Sequence, residues 1–464
     1  MPVQELHGIR SNSLRSILPP PKQPKKVFWL WRHNFRFFLL LIGFLLSTSL
    51  SINTNLFNFT LICMEEEETK NILTKNQQNY LMWGMGLGNL LAAFPFIFLY
   101  SKFGPRYVFF FASIISAIIT GLTPLAKIYG FWLFLVVRII QGITFAADFA
   151  ALGILCTQWA PLNEHGLFLS LASSFSPFSI SIANFLSGIF CSSKIFGWQF
   201  IYYISSIFCF ILAILWLLFY EELPQFSSQV TSKEFNKIQN GKSNAHIEMK
   251  TIKQQIPYKA ILTNGIVWIC WLNAFAELLP GVFIMQYKPQ YFNYVLGYSI
   301  FDTGWLTALT SLLHIPLKLI FGWASDKISF MSEKQKMILF NNISVGLPGI
   351  SYIAIVFAPN PNFAFFAFIS VSIFYSAACG GFYKCATLTS RQFGHLIMAG
   401  IQLNKCLAFF ISPALITIFV DQIKNKKEWN YIFVLFFVLS FLANILFCIV
   451  ATDKPRKFTQ IIEN

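Results

Sequence analysis

The sequence predicts an all-α membrane protein that crosses the bilayer about twelve times, in two pseudo-symmetric halves of about six helices each. Three observations carry this. The 464 residues are 56% hydrophobic and only 11% charged, and 54 of them are phenylalanine, a composition too apolar for a soluble chain of this length. Apolar runs of about 20 residues recur along nearly the whole chain, each enough to cross a hydrocarbon core of ~30 Å. The runs are continuous rather than alternating, so they read as helices and not as barrel strands.

Residues 1–34 are polar and basic, without an apolar stretch followed by a small-residue cleavage site. They are expected to be a cytosolic tail and not a signal peptide. The first half, 35–220, then holds spans near Phe37 to Met64, Tyr80 to Tyr100, Tyr107 to Ala126, Gly130 to Cys156, Leu167 to Phe190 and Ile201 to Tyr220. A single long polar insertion, Glu221 to Tyr258, marks the seam, expected as a cytosolic loop. The second half, 259–451, holds spans near Ile261 to Ile284, Phe301 to Ala324, Met337 to Phe357, Phe363 to Leu388, Leu396 to Val420 and Tyr431 to Val450, before a tail at 452–464.

Lysine and arginine in short loops set the orientation. Arg10, Arg15, Lys22, Lys25, Lys26, Arg32 and Arg36 precede the first span, Lys102 and Arg106 join the second to the third, and Lys233, Lys237, Lys242, Lys250 and Lys253 fill the central insertion. Lys327, Lys334, Lys336, Arg391, Lys454, Arg456 and Lys457 fall on the same side, whereas the opposite side opens with Glu65, Glu66, Glu67 and Glu68 and has Lys424, Lys426 and Lys427 as its main basic cluster. Both termini and the insertion are therefore expected in the cytosol. The net charge of +15 is a topology signal on this account and does not call for a nucleic-acid partner. All of the 9 cysteines except Cys191 fall in apolar runs, so no disulfide framework and no metal spacing is expected. No nucleophile constellation or phosphate loop is evident, which argues against an enzyme, and no re-entrant filter or charged ring suggests a channel.

The halves echo each other in two tight basic turns. Tyr100-Ser101-Lys102-Phe103-Gly104-Pro105-Arg106 follows the second span, and Gly322-Trp323-Ala324-Ser325-Asp326-Lys327 follows the eighth. Lys102, Gly104, Arg106, Gly322, Asp326 and Lys327 are the candidate gating residues.

Several tracts carry a family resemblance. They include Thr123-Pro124-Leu125-Ala126, then Arg138 with Gly142, Trp159-Ala160-Pro161 with Glu164, Gly197-Trp198 with Tyr202 and Tyr203, and Glu222-Leu223-Pro224. Ser232-Lys233-Glu234, Ile256-Pro257-Tyr258, Val267-Trp268 with Phe275, Pro289 with Tyr291, Gly304, Gly322 with Asp326, and Gly381-Phe382 continue the pattern. Together these resemble the major facilitator superfamily and, within it, the anion:cation symporters that include vesicular glutamate, sialic acid and sodium-phosphate transporters. The resemblance implies a major facilitator fold and secondary transport of a small organic or inorganic anion by alternating access, coupled to H+ or Na+ and with no bound cofactor. It also implies a monomer in the bilayer. Departures from the family pattern stand beside the matches. Phe145 occupies the place of an acid, Gln141 that of a glutamate in sialic-acid-type members, and Glu277 that of an arginine in the vesicular glutamate members. Polar neutral residues around Ser51, Asn53 and Thr54 replace an arginine, and Ser101 replaces an acid. These departures motivate an alternative, a transport-inactive membrane receptor or interaction protein on the same fold.

The ionisable residues inside the expected spans are Arg138, Asp148, Glu277, His314, Lys318, Lys384 and Lys405. Charge at that depth is costly and usually functional. Arg138, whose planar guanidinium matches a carboxylate in two-pronged fashion, is the first candidate for substrate binding, with Lys318, Lys384, Lys405 and Gln141. Lys384 also admits a snorkelling role at the interface. Asp148, Glu277 and His314 are the coupling candidates. Each carboxylate could equally pair with a cation and hold helices together, and His314 could be a packing residue. Asp148 is expected on nearly the same helical face as Phe145, one turn nearer the cytosol.

Overall fold

The computed structural model describes residues 33–67, 73–161, 164, 168, 171–193, 195–239, 258–328, 330–390 and 393–459. The basic residues Arg10, Arg15, Lys22, Lys25, Lys26, Arg32, Lys242, Lys250, Lys253 and Arg391 lie outside them, as do Ile256 and Pro257, and the side chain of Asp326 is not described. Within the described residues, 12 helices are long and apolar enough to cross a membrane. They are α1 (Phe35–Glu65), α2 (Lys75–Tyr100), α3 (Lys102–Tyr129), α4 (Phe131–Trp159), α5 (Leu171–Ser192) and α6 (Gly197–Phe219) in the first half. The second half holds α7 (Gly265–Val295), α8 (Ile300–Ser325), α9 (Glu333–Val356), α10 (Pro361–Ser390), α11 (Leu396–Phe419) and α12 (Lys426–Val450).

Local chemistry fixes many of the starts. Thr74 with Gln77 and Ser332 with Gln335 form capping boxes at α2 and α9. Asn264, Ser299, Asn360 and Asn425 accept a first-turn N–H at α7, α8, α10 and α12. Each cap satisfies an amide that an apolar helix cannot pair internally. Just inside the start of α3 the chain turns at Gly104, whose φ of 74° suits glycine and whose missing Cβ leaves room for the Glu222 carboxylate.

The core of each half depends on close backbone approach. A Cβ on Gly88 would lie 2.0 Å from the Ile139 carbonyl, and one on Gly142 would lie 2.1 Å from that of Met85, so α2 and α4 touch along their backbones. In the second half a chain of amides joins three helices: Asn341 donates to Asn273 of α7 (3.0 Å) and to Asn444 of α12 (2.8 Å), and Asn444 donates to Asn342 (2.7 Å).

The halves meet along α5 and α8, α2 and α11, and α1 and α7. A two-fold exchange of halves maps the first of these pairs onto the second and the third onto itself. The end of the bundle that carries the starts of α1, α7 and α9 is called the inner end here, and the other the outer end. Hydrogen bonds between halves gather towards the outer end. Asn79 donates to Thr417 (2.8 Å), the Tyr287 hydroxyl to Asn79 (3.4 Å) and the Trp83 indole to the Phe410 carbonyl (2.8 Å). The Tyr294 hydroxyl reaches Glu65, and Lys75 reaches the Val420 carbonyl with Asp421 at 3.8 Å. Gly188 of α5 and Gly304 of α8 meet there with no room for a side chain on either. Among the described residues, these contacts between the halves close this end.

Two expectations are corrected. A disulfide joins Cys63 and Cys191 at the outer ends of α1 and α5. The partners are 128 residues apart, a pairing that spacing along the chain does not reveal. The seventh helix also runs past Ile284 to Val295, because Gln286, Lys288 and Gln290 are all buried against neighbouring helices. The central insertion has structure of its own. A short helix, Ser232–Gln239, docks on the inner end, where the fully buried carboxylate of Glu234 accepts from the Arg36 amide and guanidinium. Arg36 also pairs with Glu164 (3.1 Å), which binds Lys237 (2.6 Å).

Candidate functional site

The sequence-selected residues do not form a single cluster. Arg138 and Gln141 of α4 lie inside the first half, Arg138 at 1% exposure. Its guanidinium donates to the Thr54 carbonyl (3.0 Å), the Gln141 side-chain oxygen (2.8 Å) and the Leu81 carbonyl (3.4 Å), and it stacks 4.7 Å from the Phe57 ring centroid. Gln141 in turn donates to Thr123 (3.2 Å) and Thr120 (3.4 Å) of α3. The pair thus ties α1, α2, α3 and α4 together, a use of polar atoms suited to lipid, where an unpaired one is costly.

Asp148 and Phe145 meet different neighbours. Ala146 and Ala147 interrupt α4, so Asp148 opens a second helical segment, Asp148–Trp159. A carboxylate is favourable at that N-terminus. Phe145 points to α11, where its ring meets Phe409 edge-on at 6.5 Å. Asp148, at 3% exposure, lies in electrostatic reach of Tyr100 of α2, whose hydroxyl donates to the Ala147 carbonyl.

Three of the second-half ionisable residues, Glu277, His314 and Lys318, converge. Glu277 of α7 and Lys318 of α8 feel each other's charge, and Lys318 also acts on His314, one turn away on the same helix. His314 bonds to the Ser372 carbonyl of α10 (3.1 Å), which carries Tyr375, Cys379 and Tyr383. These three and Tyr352 of α9 all lie in electrostatic reach of Glu277. Lys318 crosses to the first half, donating to the Ser173 hydroxyl of α5 (3.1 Å). Lys405 of α11 also crosses, its ammonium 5.4 Å from the centroid of Phe145. Phe145 therefore meets a cation through its ring face.

Lys384 does not join this group. It pairs with Glu333 at the start of α9 (2.8 Å), a carboxylate shared with Lys336 (2.7 Å), because its place near the inner end of α10 brings it to that carboxylate. Of the two turns, Lys102 lies over the Phe98 and Phe103 rings, and Arg106 binds Glu221 (2.7 Å) and the Leu217 carbonyl. Gly322 has open space around it and Lys327 is exposed. The two turns are thus engaged differently.

Sequence reasoning missed Lys288. It is buried between α7 and α8, donating to the Thr307 carbonyl (3.3 Å) and the Thr310 hydroxyl. Its signal was hidden by ending the seventh span too early. The tyrosines around Glu277 were missed because a tyrosine in an apolar run reads as core.

Residues 36–401 match the model of the Major Facilitator Superfamily. The chain belongs to that superfamily. It is 24% identical over 362 residues to the mouse (Mus musculus) sodium-dependent phosphate transport protein 3, covering 77% of this chain and 74% of that one. To a probable small intestine urate exporter of Mus musculus it is 24% identical, covering 78% and 73%. To vesicular glutamate transporter 1 of Bos taurus it is 21% identical, covering 80% and 67%. Among solved structures, a D-xylose-proton symporter superposes with a TM-score of 0.70 at 14% identity, over 90% of this chain and 98% of that one. A bacterial homologue of the human lysosomal transporter Spinster gives 0.69 at 14% identity, over 90% and 99%. These structures share the fold. This facilitator is a multi-pass membrane protein and a divergent relative of the phosphate, urate and glutamate transport proteins.

Proposed function

We propose that this facilitator is a secondary transporter of a small organic or inorganic anion, working by alternating access, with Lys318 and Lys405 as its anion contacts. The observation that carries this is the reach of both lysines from the second half to the first, Lys318 to a neutral hydroxyl and Lys405 to an aromatic face. A carboxylate or phosphate offers the half-buried Lys318 ammonium a stronger partner than a neutral hydroxyl, because a partly desolvated cation gains from an opposite charge. An anion bound between the halves would draw them together, and its release would let them part. The names of the relatives, which carry phosphate, urate and glutamate, support the class of cargo.

With the inner end in the cytosol, the basic loops and both termini obey the positive-inside pattern. The Cys63–Cys191 disulfide at the outer end supports the same orientation, since disulfides persist in oxidising compartments outside the cytosol.

Purified protein in liposomes, assayed for uptake of radiolabelled phosphate and a panel of carboxylates under separate pH and sodium gradients, tests the proposal and identifies the coupling ion. Uptake lost in K318A and K405A with protein yield retained is the expected result. Absence of uptake and of ligand-induced stabilisation across the whole panel refutes it.

A further inference from the structure

We propose that Lys288 is the group that takes up the coupling proton, receiving it from the outer side and passing it along α8 to His314. This rests on the anion-transport role proposed above and adds to it the coupling ion and the residue that carries it.

Lys288 lies in the outer part of α7, at 5% exposure, so its nitrogen does not snorkel to water. Its hydrogen bonds go to α8, to the Thr307 carbonyl (3.3 Å) and the Thr310 hydroxyl. No salt bridge among the described residues reaches it. A permanent ammonium is costly in an apolar bundle without an opposite charge, and a neutral amide would tie two helices as well. What a lysine adds is a proton that can leave. The two partners suit both forms. The Thr310 hydroxyl accepts from an ammonium while donating to the Thr307 carbonyl (2.8 Å); rotated, it donates to the lone pair of a neutral amine. The carbonyl accepts an N–H in either case. A proton, unlike a larger ligand, needs no cavity beside the nitrogen.

The other titratable groups nearby are engaged elsewhere. On α7, Tyr287 bonds Asn79, and the Tyr291 ring packs against Phe368, Trp429 and Phe433. Glu65 of α1 is held at the outer end by Gln78 and Tyr294, and Lys75 of α2 by the Val420 carbonyl and Asp421. Asp302 binds Ser299 at the start of α8, and Glu428 binds Asn425 at the start of α12. Lys405 of α11 lies against Phe145, and Tyr375 of α10 sits inward at Gly281. The α5 helix has no ionisable side chain besides the bridged Cys191.

Two contacts between the halves flank Lys288. Tyr287, the residue before it, bonds Asn79 of α2 (3.4 Å), and the Ala308 carbonyl, next to Thr307, accepts from Ser181 of α5 (3.0 Å). Both break when the halves part at the outer end, so protonation of Lys288 from that side depends on the state of the carrier. Inward, Thr307, Thr310, Ser311, His314 and Lys318 follow at three- and four-residue steps, which sets them on one face of α8. A carbonyl only accepts, so the His314 Nδ1 beside that of Ser372 (3.1 Å) carries its hydrogen, and Nε2 is left to take a proton. In the transfer the Lys288 ammonium loses one proton and becomes the amine. His314 gains it as imidazolium and releases it to water when the inner side opens.

Proteoliposomes test this in two modes, uptake driven by an acid-outside pH gradient and anion exchange at equal pH on both sides. In the unaltered protein the gradient is expected to raise initial uptake and a protonophore to abolish the rise. K288Q is expected to lower gradient-driven uptake by about tenfold or more beyond any effect on exchange, the scale of a lost proton-transfer group. K288R keeps the charge but holds its proton and is expected to behave like K288Q. T310V removes only the reversing hydroxyl; it is expected to lower gradient-driven uptake more than exchange, and it decides where a Lys288 variant does not fold. Uptake indifferent to the pH gradient, or driven by a sodium gradient in its place, overturns the proposal and leaves anion transport standing. So does gradient-driven uptake that survives in K288Q, K288R or T310V. Equal loss of both modes in folded K288Q marks a structural or substrate-binding role and overturns it too. If no anion is taken up in either mode, anion transport fails as well.

Discussion

Arg138 shows how one residue can be legible as buried and charged while its duty is open until its neighbours are known. Its contacts to Thr54, Leu81 and Gln141 hold α1, α2 and α4 together. R138A is therefore expected to lower stability by ~2–4 kcal/mol, through the cavity left and the acceptors stranded. Thermal unfolding in detergent reads this. Loss of uptake with unchanged stability would instead return Arg138 to the substrate path. Glu164 provides a pH test outside the membrane. Burial raises its carboxyl, but hydrogen bonds from Lys237 and then Arg36, with their charges, outweigh this and lower its pKa. A group depressed in the folded state contributes stability that is present above its unfolded value, about 4.3, and lost as pH falls through the lower folded value. Docking of the Ser232–Gln239 helix is accordingly expected to hold at neutral pH and weaken in acid below pH ~4. Limited proteolysis of the central insertion across that range checks it.

Among the elements, the α2 and α4 contact is the most exacting. With Gly88 and Gly142 each against a carbonyl of the other helix, a methyl group on either must push the helices apart. G88A or G142A is expected to destabilise by ~1–3 kcal/mol or more, the range for overpacking, and a drop in melting temperature measures it. The helices themselves were readable as about 20 residues of continuous apolar chain. The ends were less so. The seventh helix continues through Gln286, Lys288 and Gln290, since polar side chains buried against other helices do not end a span. The break at Ala146 and Ala147 was illegible because alanine favours helix.

For the whole molecule, the Cys63–Cys191 bridge links the two first-half helices that meet α7 and α8 at the closed outer end. Of the 9 cysteines, the 7 others are free. Mass-tagging under denaturing conditions is expected to add 7 tags without reductant and 9 with it; equal numbers would refute the bridge. By itself the sequence determined the membrane class, the number of spans and most of the charges within them, because hydrophobic length and the cost of intramembrane charge are local properties of the chain. Tertiary structure decided which charges meet. It enclosed Arg138 in one half, sent Lys384 to Glu333, brought Glu277, Lys318 and the tyrosines of α9 and α10 together, and paired two distant cysteines. Those partners lie on different helices, and the side of a helix that faces another is fixed by how the bundle packs, which the periodicity of an almost wholly apolar segment does not encode.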